Sequence, residues 1–269
     1  MLSQAENRHA ESLLAFWAEA GVDALLQPEP VDRIAAGKIA PPSLPAPAQI
    51  PKREAPASRP DMSGQVEQAR QAAAAASSLD ELAMAIAGFD GCPLKFAGAA
   101  RQSVFYRGNP RARLMVIGEG PGADEDVQGQ PFVGRSGQFL DRMLATAGLT
   151  DRAFITNSVF WRPPGNRNPT PEEQAVCQPF LERAIALVAP ALLLLVGAPS
   201  TKAMLGKTEG ILSLRGRWFE WRSSDGILEI PAMPTLHPAF LLRQPSAKKM
   251  VWSDLLTLTE RLDRPQRPA

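Results

Sequence analysis

Apolar positions change their spacing three times along the chain. Residues 1–27 set Leu13, Leu14, Phe16, Trp17, Leu25 and Leu26 on one side of a helical pattern, which predicts an amphipathic helix. Residues 28–61 then lose most large apolar side chains to Pro and Ala (PEPVDRIAAGKIAPPSLPAPAQIPKREAPASRP over 28–60). Such a stretch buries too little apolar surface to offset the entropy of ordering, so it is expected to be an extended, disordered linker. Regular patterning resumes at 62 and defines a third region, 62–269. It opens with a helix over 63–76 and a second helix from Ser78, where Ser78 and Glu81 have the S-x-x-E spacing of a capping box. Short continuous apolar runs at 114–117 and 191–196 then predict buried strands, and 154–160 and 230–235 are read as two more strands. Between them, helices are predicted over 137–147, from the Thr170-Pro171-Glu172-Glu173 start, and over 247–262, with a surface hairpin at 220–229.

Buried strands alternating with helices predict an α/β fold, a three-layer α/β/α sandwich on a central parallel sheet. In such sheets the working loops lie beyond the carboxyl ends of the strands. Three polar loops rich in Gly or Pro fall there, at 118–137, 157–169 and 235–243. A candidate site is therefore sought where they converge.

Composition narrows the partners only slightly. A net charge of +1 over 269 residues excludes a polycationic, histone-like binder, so any nucleic-acid surface must be local. Two cysteines, Cys92 and Cys177, cannot form a disulfide framework and point to a reducing compartment. The N-terminus lacks the pattern of a signal peptide, and the apolar stretch 185–198 is broken by Pro190 and too short to span a bilayer. A cytoplasmic location, no membrane association and a monomeric state are expected.

Several loop residues could carry chemistry. Gly118, Gly120 and Gly122 allow the backbone close to a ligand, but Glu119, Asp124, Glu125 and Asp126 crowd acidic charge there. The segment matches neither a P-loop nor a dinucleotide-binding turn. Phe132 is either a ring that stacks on a base or an ordinary core anchor. Asn157, closing a strand, is either a turn former or an amide that matches a pyrimidine edge. His237 is either structural or a donor to an oxygen that gains charge as a bond breaks. Neither cysteine has a Cys or His neighbour at metal spacing, and both read as buried thiols.

Taken in order, these segments resemble the motifs of family-4 uracil-DNA glycosylases. The resemblance is carried by Gly118-Glu-Gly-Pro-Gly122 with Glu125-Asp126, and by Gly129-Gln-Pro-Phe-Val-Gly134 with Gly137. It continues through Ile155-Thr-Asn157, Arg162-Pro-Pro164 with Asn166-Arg167, Cys177-x-Pro179, Arg215-Gly216 and His237-Pro238. It covers about residues 92–258 and leaves the first 60 outside. It implies a four-stranded parallel sheet and hydrolysis of the N-glycosidic bond of uracil in DNA, a step of base excision repair. Phe132 would stack on the flipped uracil, Asn157 would bond its edge, and His237 would stabilise charge on O2. Glu119, Gly120, Gly122 and Glu125 would line the sugar side and position the attacking water, with Glu119, Glu125 and His237 as catalytic residues. Gly120 stands where the best-known uracil glycosylases keep a water-activating Asp.

Uracil-containing DNA is then the expected partner. Leu241 or Leu242 would enter the duplex gap. Arg162, Arg167, Arg135 and Arg243 would meet phosphates or simply be solvated surface. The family usually holds a 4Fe-4S cluster on four cysteines. Here Cys92 and Cys177 fit the second and fourth positions, while Phe89 and Trp161 stand at the first and third, so no metal or cluster is expected. Two other readings compete: a DNA-binding repair accessory acting through its N-terminal helix and linker, and a glycosylase with wider substrates such as hypoxanthine or xanthine. The helix at 1–27 would dock a protein partner or pack on its own core.

Overall fold

The computed structural model describes residues 62–264; the helix and linker expected over 1–61 lie outside the described residues. Helices α1 (Ser63–Ala75), α2 (Leu79–Gly88) and the short α3 (Pro93–Phe96) come first. The Ser78 hydroxyl accepts the Glu81 N–H, as the capping pattern predicts. The reciprocal arm lands one residue earlier than expected, because the Glu81 carboxylate bonds the N–H and hydroxyl of Ser77.

Six strands follow: β1 (Tyr106–Gly108), β2 (Leu114–Gly118), β3 (Ala153–Asn157), β4 (Leu192–Val196), β5 (Phe219–Arg222) and β6 (Glu229–Thr235). They form one sheet in the order β1-β3-β2-β4-β6-β5. The inner four pair in parallel, which is the four-stranded parallel sheet expected. Two antiparallel edge strands extend it: β1 on β3, and β5 on β6 through the predicted hairpin. Strand β1 carries no sequence signal, since three partly exposed residues (YRG) offer no alternation to read.

Alternate residues of the inner strands feed opposite layers. Met115, Ile117, Leu193 and Leu195 pack on one face among α1, α2 and α6 (Pro171–Val188). Leu114, Val116, Leu192 and Leu194 pack on the other, against α5 (Arg135–Thr146) and α10 (Lys248–Asp263). Continuous burial on both faces explains why these runs read as unbroken apolar blocks. The remaining helices are α4 (Ala123–Gln128), α7 (Ala198–Leu205), α8 (Ile211–Leu214) and α9 (Pro238–Arg243). Helix α4 lies inside the segment taken from sequence as one long loop; its six residues are too few to show a helical period. Helix α6 starts as predicted, with Thr170 and Glu173 exchanging capping bonds ahead of Pro171.

Candidate active site

A cleft of about 810 Å³ opens where β2, β3 and β6 end. Glu119, Gly120, Gly122, Glu125, Phe132, Asn157, Arg167, His237 and Arg243, all named from sequence, line it together. The loop after β2 is sewn to the exit of β3. Ser158 donates its N–H to the Gly118 carbonyl at 2.9 Å and its hydroxyl to the Glu119 carbonyl at 2.7 Å.

Phe132 is held in a left-handed conformation (φ 56°) and is buried. Two glycines make that possible. A Cβ on Gly137 would lie 1.7 Å from the Phe132 carbonyl oxygen, and one on Gly118 would lie 2.4 Å from the Phe132 ring. The same Gly118 Cβ would come within 2.4 Å of the Asn157 side-chain oxygen. Asn157 is itself buried, and its amide makes no hydrogen bond to the protein among the described residues. Both its donors and its acceptor thus remain for a ligand.

His237 caps α9. Its Nδ1 accepts the Ala239 N–H at 3.1 Å, so the proton of the neutral ring sits on Nε2. Burial, with a smaller push from Arg243, lowers its pKa to about 4, and Glu125 only partly opposes this. The ring is therefore a neutral Nε2–H donor at pH 7. It lies 6.0 Å from the Phe132 ring, centroid to centroid, with the planes 29° apart.

The two glutamates play different parts. The Glu119 carboxyl is partly buried; one oxygen is fully buried with no hydrogen-bond partner among the described residues, and burial alone raises its pKa to about 7. Leaving a buried acceptor unmade typically costs about 1–3 kcal/mol, a strain that a ligand or water could relieve. Glu125, by contrast, is already engaged. Its carboxylate accepts N–H bonds from Gly122 at 3.1 Å and from Val133 and Gly134 at 2.9 Å each. It ties the first turn of α4 to the Phe132 loop. At Gly120 a Cβ would meet the Val159 side chain at 2.8 Å, so any side chain there must displace Val159.

The basic residues separate as well. Arg167 makes a bidentate pair with Glu173, at 2.8 and 2.7 Å, which anchors it to the loop. Arg162 donates to the Asn166 side chain at 2.8 Å. Arg135 and Arg243 line the cleft, are exposed, and have no ion pair among the described residues. Of the two leucines expected to supply a wedge, Leu241 is only 1% exposed and packs in the core, while Leu242 is half-buried and at the surface. Phe240 also lines the cleft and was missed, because its helix pattern gives no sign of which face meets the site.

The Cys92 and Cys177 sulfurs lie 3.9 Å apart, both fully buried. Phe89 and Trp161 are buried in the same apolar cluster, and Phe89 meets Phe180 edge-on at 5.1 Å. Two thiols supply half of the ligands a 4Fe-4S cluster normally takes, and the buried Phe89 and Trp161 offer no ligand atoms for the other two. These residues do not fit that group. No set of three or more His, Cys, Asp or Glu side chains suited to a metal is present among the described residues.

The end of the α/β sheet thus gathers an aromatic ring, an amide without a protein partner among the described residues and a neutral histidine in one cleft. The model of the uracil DNA glycosylase superfamily matches residues 105–256, and the chain belongs to that superfamily. It is 37% identical over 166 residues to a type-4 uracil-DNA glycosylase of Sulfurisphaera tokodaii, covering 60% of this chain and 74% of that one. It is 38% identical over 168 residues to that of Saccharolobus solfataricus, covering 60% and 77%. The Thermotoga maritima enzyme of the same name is 38% identical over 156 residues, covering 56% and 79%. Among the described residues no helix is long and apolar enough to cross a membrane.

Proposed function

We propose that this chain is a uracil-DNA glycosylase, a hydrolase that frees uracil from DNA and leaves an abasic sugar. The activity class follows from membership of the superfamily and from relatives named type-4 uracil-DNA glycosylases. The observation that carries the mechanism is the convergence of Phe132, Asn157 and the Nε2–H of His237 in one cleft. A base within a duplex is out of reach of such a cleft, so the nucleotide must rotate out of the stack. Phe132 then covers the ring face, and Asn157 matches the edge with one donor and one acceptor. As the glycosidic bond breaks, its electron pair goes to the base, and His237 donates to O2 of the resulting anion. A neutral donor suits this task, because it stabilises the anion without having to lose its own proton.

Water supplies the new bond to the sugar. Its oxygen attacks C1′, and its proton passes to the Glu119 carboxylate and on to the departing base. Glu119 is the only partly buried carboxylate in the cleft whose oxygen lacks a partner among the described residues. Glu125 acts indirectly, by holding the Phe132 loop. Arg135, Arg243 and Leu242 are the surface groups best placed to meet DNA. The reaction needs no iron–sulfur group, and the thiol pair with Phe89 and Trp161 supports a protein that lacks one.

Purified protein incubated with an oligonucleotide holding one uracil, followed by alkali, tests the reading. Strand cleavage at the uracil is expected, and only weak cleavage after Asn157→Ala. Folded protein that leaves the oligonucleotide intact would overturn it.

A further inference from the structure

A second concavity of about 350 Å³ runs between α5 and α10, immediately behind α9. Its floor is apolar and includes Phe139, Met143 and Trp252, the last still 40% exposed. Its charged groups are Arg142, Lys248 and Lys249, all exposed, and no acidic side chain lines it. The Arg142 guanidinium and the Lys248 ammonium sit over the Phe139 ring at 5.5 and 5.1 Å, so the charges lean across the groove rather than away from it. None of the three cations has an ion pair among the described residues.

The groove shares no lining residue with the cleft but adjoins it across α9 and along α5. Helix α9 shows Phe240 and Arg243 to the cleft and Leu241 to the groove, and α5 starts at Arg135 in the cleft and passes Phe139 and Arg142 in the groove. Aromatic faces set among unpaired cations are the chemistry that holds single-stranded nucleic acid, with bases stacking and phosphates meeting Lys or Arg. We infer that this groove binds an unpaired stretch of the DNA strand that flanks the excised nucleotide, with Trp252 stacking on a base and Lys248 and Lys249 meeting two phosphates. The inference rests on the cleft reading and adds a subsite to it, the groove between α5 and α10, for the strand beyond the cleft.

Fluorescence anisotropy separates the two claims. A 15-nucleotide thymidine oligonucleotide with one central uracil is bound by the wild type, by Lys248→Ala/Lys249→Ala and by Trp252→Leu, alone and after pairing with its complement. Two lost phosphate contacts should flatten the salt dependence of single-strand binding by about 1.4 in log–log slope. Losing one stacked base should weaken single-strand binding by roughly 5- to 100-fold, while duplex binding changes little and Trp252→Phe restores most of the loss. Unchanged affinity and slope in variants that melt like the wild type would overturn the inference and leave the groove to a protein partner. Equal losses on single strand and duplex would overturn the single-strand assignment. Excision measured on the same oligonucleotides tests the cleft separately, so binding lost without any excision by the wild type sinks the cleft reading alone.

Discussion

At the scale of single residues, protonation decides what the site can do. Glu119 is raised to about 7 by burial, so near neutral pH it is divided between acid and carboxylate. If the carboxylate takes the proton of water, single-turnover excision should rise with pH through about 7 and then level. Glu119→Gln should abolish that limb, and a profile unchanged by the substitution would remove Glu119 from the chemistry. Stability should run the other way. A carboxyl whose folded pKa lies above its ordinary 4.5 favours the fold while protonated, and that contribution is lost as pH rises through 7. Glu119→Gln should therefore raise Tm at pH 8 more than at pH 5, as differential scanning calorimetry can check. His237, lowered to about 4, stays neutral over this whole window and adds no limb above pH 5.

Glycine 137 shows what sequence can and cannot reveal at this scale. It was visible as part of a motif, but the reason for it, a Phe132 carbonyl where a Cβ would go, exists only in three dimensions. Gly137→Ala should force the Phe132 loop to move and cut excision far more than it lowers Tm.

At the scale of elements, the inner sheet was plain in the sequence because strands buried on both faces read as apolar blocks. The edges were not: β1 is too short and too exposed to leave a period, and α4 hides inside an acidic loop. The partners of charged side chains were equally hidden. Arg167 and Arg243 look alike in sequence, yet only the structure shows Arg167 paired with Glu173 and Arg243 without an ion pair among the described residues. Glu125 was recognised as part of the site, while its ties to Val133 and Gly134 cross eight and nine residues that no spacing rule connects. Glu125→Gln keeps one acceptor oxygen where two now serve three N–H groups. It should lower substrate affinity and rate together through a looser Phe132 loop, with most of the loss in KM if positioning is its only role. Retention of wild-type kinetics would contradict that role.

At the scale of the whole molecule, the thiol pair separates this chain from the usual pattern of its family. The α1–α3 layer is held to α6 by an apolar cluster that includes Phe89, Cys92, Trp161, Cys177 and Phe180. Protein purified without oxygen should show no absorption band near 400 nm, and adding iron and sulfide under reducing conditions should not raise its Tm. A brown protein with about four irons per chain would contradict this. Phe89→Ala opens a void in that cluster and should cost about 3–5 kcal/mol by chemical denaturation.

The most direct measurement of the central claim is single-turnover excision of uracil from one labelled oligonucleotide by the wild type, Asn157→Ala and His237→Ala at pH 7.5. Loss of the Nε2–H donor should slow the chemical step by roughly 10²- to 10³-fold. Loss of the Asn157 amide should slow it by at least about tenfold. Equal rates for all three proteins would show that the cleft is not where the glycosidic bond breaks.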